Sequence, residues 1–169
     1  LKVLFYTKDS VRLANFYNNF SLVFLKVSEP DSAKFYCKKG LRYTNSKNPL
    51  GKSALYNNLG DVYLSESKFD KAFSYYDKAI QTISSDNSNE FSTTIYFKDL
   101  LDYYLDKLNA LITFYEVKQD SRILYEAYEL LIKIDSQFDT IYHTSKERIS
   151  KLFWSCLLYT SDAADDSLR

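Results

Sequence analysis

One histidine, His143, and two cysteines, Cys37 and Cys156, are the side chains of this 169-residue chain best suited to nucleophilic or metal chemistry. A zinc site needs about four Cys, His or carboxylate ligands, and no such cluster is spaced along the chain. His143 stands between Tyr142 and Thr144, just ahead of a predicted helix start, and reads as a solvated or capping residue. Cys37 falls where helical spacing calls for a core side chain, and a free thiol there behaves as a small hydrophobe. Asp99 with Asp102, and Glu126 with Glu129, pair carboxylates on one helix face. Such pairs can hold a cation or work as acid and base, but Lys98, Lys107 and Lys133 nearby point to solvated faces. On this reading the chain carries no catalytic, cofactor-binding or metal-binding residues and is not an enzyme.

The elements around these side chains are helices. Three Gly and two Pro supply too little turn chemistry for a sandwich or barrel. Gly40, Gly51 and Gly60 stand alone, so there is no glycine-rich phosphate loop. Twenty-two basic residues balance 22 acidic ones, leaving no basic field for nucleic acid. The longest apolar runs, such as Phe20 to Leu25, are far too short to span a bilayer. Sixteen Tyr and 12 Phe provide material for an aromatic helical core.

The chain repeats itself at an offset of 39 residues. Tyr17-Asn18-Asn19-Phe20 falls on Tyr56-Asn57-Asn58-Leu59, and Asp31, Ala33, Tyr36 and Lys39 fall on Asp70, Ala72, Tyr75 and Lys78. In the second copy Tyr56, Leu59, Gly60 and Tyr63 share one helix face, and Ala72, Tyr76 and Ala79 share another. Small residues at Gly60, Ala72 and Ala79 would let two antiparallel helices approach closely while Tyr63 and Tyr76 fill the space beside them. These positions, with Phe69-Asp70 in the turn, resemble the tetratricopeptide repeat. The resemblance implies an all-α, right-handed solenoid of antiparallel helix pairs. The expected repeats cover about 14–48, 53–86 and 91–142, with a further helix from about 145, where Thr144 and Glu147 fit a capping box. The first copy is degenerate, with Ser21, Cys37 and Gly40 at signature positions, and Asn45 to Lys52 reads as an enlarged connection.

In the third pair the predicted stripes are Leu101, Leu105, Leu108, Ile112 and Tyr115, then Leu124, Ala127, Tyr128, Leu131 and Ile134. Twelve residues from Tyr115 to Ala127, against nine from Tyr63 to Ala72, predict a longer turn. The Tyr75-Tyr76 and Tyr103-Tyr104 pairs are each expected to place one ring in the core and to turn the other towards a neighbouring repeat or solvent.

From Leu101 to Trp154 the sequence is similar to the segment joining tetratricopeptide arrays to a CHAT (caspase-like) domain in bacterial proteins. That resemblance implies the regulatory or sensing arm of a larger protein whose peptidase domain lies further on. The sensor arm of a bacterial histidine kinase is the rival context. From Cys156 the string CLLYTSDAADD resembles a translated sequencing adaptor. On that reading residues 1–155 are the array, 156–169 are a non-native tail, and the chain is a piece of a longer protein. Its localisation does not follow from the sequence; the cytoplasm is favoured.

The function expected is a non-catalytic protein-interaction scaffold. First helices line the concave face of such a solenoid. Candidate contacts for a protein or peptide ligand there are Asn57, Asp61, Leu64 and Ser65, with Asn18 and Leu22 from the first copy. Asp61 is anionic and no Lys occupies the matching clamp positions, which argues against a ligand held by its C-terminal carboxylate. No nucleic acid, membrane segment or cofactor is expected.

Overall fold

The computed structural model describes residues 10–45, 48–84 and 93–142, with the side chains of 93–97 and 137–142 excepted. Six helices account for them: α1 (Ser10–Lys26), α2 (Pro30–Leu41), α3 (Pro49–Ser65), α4 (Phe69–Ser84), α5 (Thr93–Lys118) and α6 (Arg122–Tyr142). His143, the Thr144–Glu147 capping box, the helix expected from about 145 and the tail from Cys156 lie outside the described residues. Residues 1–9, 46–47 and 85–92 lie outside them too.

The 39-residue offset governs the element boundaries. The starts of α1 and α3, the ends of α1 and α3, and the starts of α2 and α4 are each 39 residues apart. Both first helices begin one turn earlier than the expected repeats. Pro49 supplies the fixed φ of a first helical position, and Asn48 Oδ1 accepts a hydrogen bond from the Gly51 backbone N–H at 3.0 Å. Pro49 to Lys52 are therefore the first turn of α3, and the enlarged connection predicted there is correspondingly shorter.

Turns 27–29, 66–68 and 119–121 each separate two helices by three residues. In each, one non-glycine residue is left-handed: Ser28 (φ 59°), Ser67 (φ 56°) and Gln119 (φ 55°). In the first two, the following amide closes back on the last helical turn: Glu29 N–H on Phe24 O and Lys68 N–H on Tyr63 O, both at 2.8 Å. The longer third turn expected from sequence is absent. The extra residues belong to α5 and α6, which lengthen instead.

Residues 10–130 belong to one unit, in which α1 packs on α2, α3 on α4, α2 on α3 and α4 on α5; the first helices also touch in series, α1 on α3 and α3 on α5. This is the stacking of a tetratricopeptide-like solenoid, all-α among the described residues. Its buried centre has two clusters. Cys37, Leu55 and Leu59 are joined by Leu41, Tyr56 and Tyr75. Tyr63, Ala72, Tyr76 and Ala110 are joined by Leu64, Phe73 and Tyr75. Gly60 lies directly under Tyr76: a Cβ there would stand 2.5 Å from the ring. The small residue and the large ring are thus one fitted pair, as the spacing predicted.

The third segment corrects two expectations. On α5 the buried side chains are Tyr103, Tyr104, Ala110 and Leu111, whereas Leu105 and Ile112 are exposed. Both rings of Tyr103-Tyr104 are buried, Tyr103 against the neighbouring pair, where its hydroxyl meets Ser53 of α3. On α6, within the first unit, Ile123, Ala127 and Leu130 are buried, while Leu124 and Tyr128 are exposed. Apolar residues run almost round α5 and over a broad arc of α6, so helical spacing alone does not single out the buried stripe. Packing decides for α5: Phe114 meets Phe69 and Phe73 of α4 edge-on, at 4.9 and 5.9 Å between centroids. The second unit, from Leu131, contains the end of α6, where Ile134 is buried.

Candidate functional site

Where the first helices meet, a run of polar side chains, most of them buried, joins helix to helix. Asn58 on α3 donates from Nδ2 to Asn18 Oδ1 and Ser21 Oγ of α1, each at 2.9 Å. On the other side of α3, Asn57 Nδ2 donates to Asp106 Oδ2 of α5 at 2.7 Å, and Ser53 and Tyr103 share a bond at 3.3 Å. The Asn57-Asn58 pair divides its labour because neighbouring helical positions point about 100° apart. One amide ties α3 back to the first pair and the other ties it forward to α5.

Asp61 lies one turn beyond Asn57 and accepts the hydroxyl hydrogen of Tyr76 at 2.7 Å. Burial pushes its carboxyl up to about 6; the Tyr76 hydrogen bond opposes this and the Asp106 charge adds to it. Burial likewise raises Asp106, against the Asn57 bond, with Asp102 adding repulsion. The Cys37 thiol is pushed up to about 11, chiefly by burial. It is therefore a protonated core group at neutral pH, in keeping with its place opposite Tyr76 in the repeat alignment.

The six candidate contacts prove unequal. Leu22 and Ser65 are exposed, and Ser65 Oγ donates to Val62 O at 2.8 Å. Asn18, Asp61 and Leu64 are half-buried; Leu64 leans on the Tyr63–Tyr76 cluster. Asn57 is buried and already joined to Asp106. Sequence reasoning did not single out Asn58, Ser21 or Asp106. The doubled Asn in both copies marked the first of these. Nothing in the order of residues put Asp106 opposite Asn57, since that contact crosses from one pair to the next.

Residues 53–85 match the family model described as Tetratricopeptide repeat. The match covers most of α3 and all of α4, the pair in which Gly60, Ala72, Tyr76 and Ala79 meet. No curated protein and no solved structure matches the chain. Tetratricopeptide pairs support protein–protein interaction scaffolds, and the arrangement here suits that use. The first helices stand side by side, and their polar groups are held by bonds between elements.

A second charged cluster lies at the turn between α3 and α4. Lys34 of α2 pairs with Glu66, which also accepts from Lys68 at 2.7 Å. The Lys34 hydrogen bond, then that of Lys68, holds the Glu66 carboxyl below its ordinary range. Lys34 and Lys71 also lie over the Tyr63 ring, at 5.1 and 5.5 Å from its centroid. This cluster ties one pair to the next.

Proposed function

We propose that the chain is a non-catalytic interaction scaffold that receives an extended peptide on the face lined by α1, α3 and α5. The observation that carries this is the run of inter-helix hydrogen bonds from Asn18 through Asn58 and Asn57 to Asp106. Its buried amides fix α1, α3 and α5 side by side, which sets the half-buried Asn18, Asp61 and Asp106 beside the accessible Leu22 and Ser65. A preformed row costs little ordering on binding. In its parent the scaffold acts as the regulatory or sensing arm of a larger bacterial protein with a CHAT caspase-like domain. The similarity of Leu101 to Trp154 to the segment that precedes such domains supports that context.

Two experiments test the parts separately. Peptides selected from a random display library on the whole chain are mapped by amide NMR shifts. Shifts gathered on Asn18, Leu22, Asp61, Leu64 and Ser65 support the face; shifts confined to α2 and α4 overturn it. The parental context is tested by reading the source genome past Ser155. A downstream domain with a spaced His and Cys supports it, and a kinase core overturns it.

A further inference from the structure

On this face the chain supplies acceptors that it does not itself satisfy. Asp61 and Asp106 are half-buried, and neither has an ion-pair partner among the described residues. The lysines of α5 nearest in sequence are committed elsewhere, Lys98 to Asp102 at 3.1 Å and Lys107 to Asp77 at 2.5 Å. Asn57 lies between the two carboxylates in register, one turn from Asp61 and bonded to Asp106. It is only 7 % exposed, and its Oδ1 has no hydrogen-bond partner. Once the Tyr76 hydroxyl and one N–H of the Asn57 amide have donated, what remains is mostly acceptor: the free carboxylate oxygens and a buried amide oxygen, beside the second Asn57 N–H. A buried polar atom without a partner costs about 1–3 kcal/mol, so a donor that reaches it is favoured.

The chemistry narrows the donor. Among the described residues no group of three or more His, Cys, Asp or Glu could hold a metal ion. A guanidinium or ammonium has donors and no acceptor, and its positive charge meets both carboxylates. Leu64, one turn further along α3, and Leu22 of α1 offer apolar surface for the aliphatic stem of such a side chain. An acidic peptide or a nucleic-acid backbone would instead meet like charge. We propose that Asp61, Asp106 and Asn57 form a pocket for an arginine or lysine side chain of the bound peptide. This rests on the interaction reading above and specifies its ligand.

The test uses the whole chain, carboxyl-labelled with carbon-13 and titrated with N-acetyl-arginine amide. The neutral N-acetyl-glutamine amide is the control probe. With the arginine probe, the Asp61 and Asp106 carboxyl resonances should move well beyond that of exposed Glu116. The Asp61 midpoint should also fall, by about one pH unit, a tenfold change in proton affinity. The titratable neighbours that could share the response are Tyr76 on α4, Cys37 on α2, and Asp102 and Asp106 on α5. Equal movement with the glutamine probe, or movement no larger than at Glu116, overturns the proposal. The peptides selected by display then separate the two levels of reading. Peptides on the α1–α3–α5 face that are rich in Arg and Lys, and about tenfold weaker towards Asp61→Asn with Asp106→Asn, support the pocket. Peptides on that face without a basic preference, or unaffected by both substitutions, overturn the pocket and leave the scaffold standing. Peptides bound only elsewhere overturn both. Glu116→Gln is the matched control, and circular dichroism of each variant reports its fold.

Discussion

Gly60 and Asp61 are adjacent, and each sits against Tyr76 in a different way. A methyl at Gly60 would lie 2.5–2.8 Å from three ring atoms of a tyrosine with no exposure. Gly60→Ala gains helix propensity, about 1 kcal/mol, but the ring has nowhere to go. The expected net result is destabilisation by about 1–3 kcal/mol, read from urea unfolding. Asp61 carries the opposite kind of strain, a charge that burial disfavours. Its folded-state value of about 6 exceeds its unfolded value, so folding favours the protonated form. Its contribution to stability therefore rises as pH falls through about 6 and levels off near the ordinary aspartate range. Asp61→Asn should stabilise the chain by about 1–2 kcal/mol at neutral pH and flatten this dependence. The Asn oxygen can still accept from Tyr76. Glu66, held low by Lys34, acts with the reverse sign and loses its contribution as pH falls. Comparing the parent with Asp61→Asn between pH 5 and 7.5 isolates the Asp61 part; parallel curves would refute it. The glycine was legible in sequence from its spacing to Tyr76, but the burial of Asp61 was not. A lone Asp on a first helix reads as solvent-facing until Asp106 and Tyr76 are seen beside it.

At the scale of elements, each of the three turns holds one left-handed residue although their sequences differ. Ser28, Ser67 and Gln119 all take the left-handed region, where an L side chain crowds the next carbonyl. Glycine carries no such penalty. Ser67→Gly should therefore raise stability by about 0.5–1 kcal/mol after its greater unfolded-state entropy is deducted. Ser67→Val, β-branched, should lower it. Thermal melts rank the three, and an order of valine above serine would exclude the argument. Helices α1 to α4 were readable because the offset of 39 superposes two independent copies, each checking the other. Helices α5 and α6 had no second copy. Their existence followed from pattern, as did the burial of Ala127 and Ile134, but the rest of their buried faces did not. Ile112 and Leu111 differ by one position, and only the contact of α5 with Phe69 and Phe73 chooses between them.

At the scale of the molecule, α3 is the most enclosed element. It packs on α1, α2, α4 and α5, while α1 packs on α2 and α3. In a stacked array stability comes from such neighbour interfaces, so it is greatest where most of them meet. Amides from Leu55 to Val62 should exchange slowest with deuterium, and those of α1 before them. Exchange at one common rate throughout α1 to α5 would show a single cooperative block instead. The cross-helix bonds of Asn58 and Asn57 should weaken in step with that order, because each spans an interface between pairs.

The sequence by itself determined the kind of molecule this is. A 39-residue repeat with small residues facing large aromatics admits close antiparallel helix pairs, and little glycine and proline leaves few other ways to turn the chain. These are local constraints, set by spacing along one or two helices. What the tertiary structure decided are the relations between helices: that Asn57 looks to Asp106, that Asp61 is half-buried beside Tyr76, and which stripe of α5 faces inward. Each depends on two helices meeting at a particular rotation, their contacting residues between 15 and 49 positions apart. Helical periodicity repeats every turn and carries no information about that angle; only the shapes of the packed side chains do.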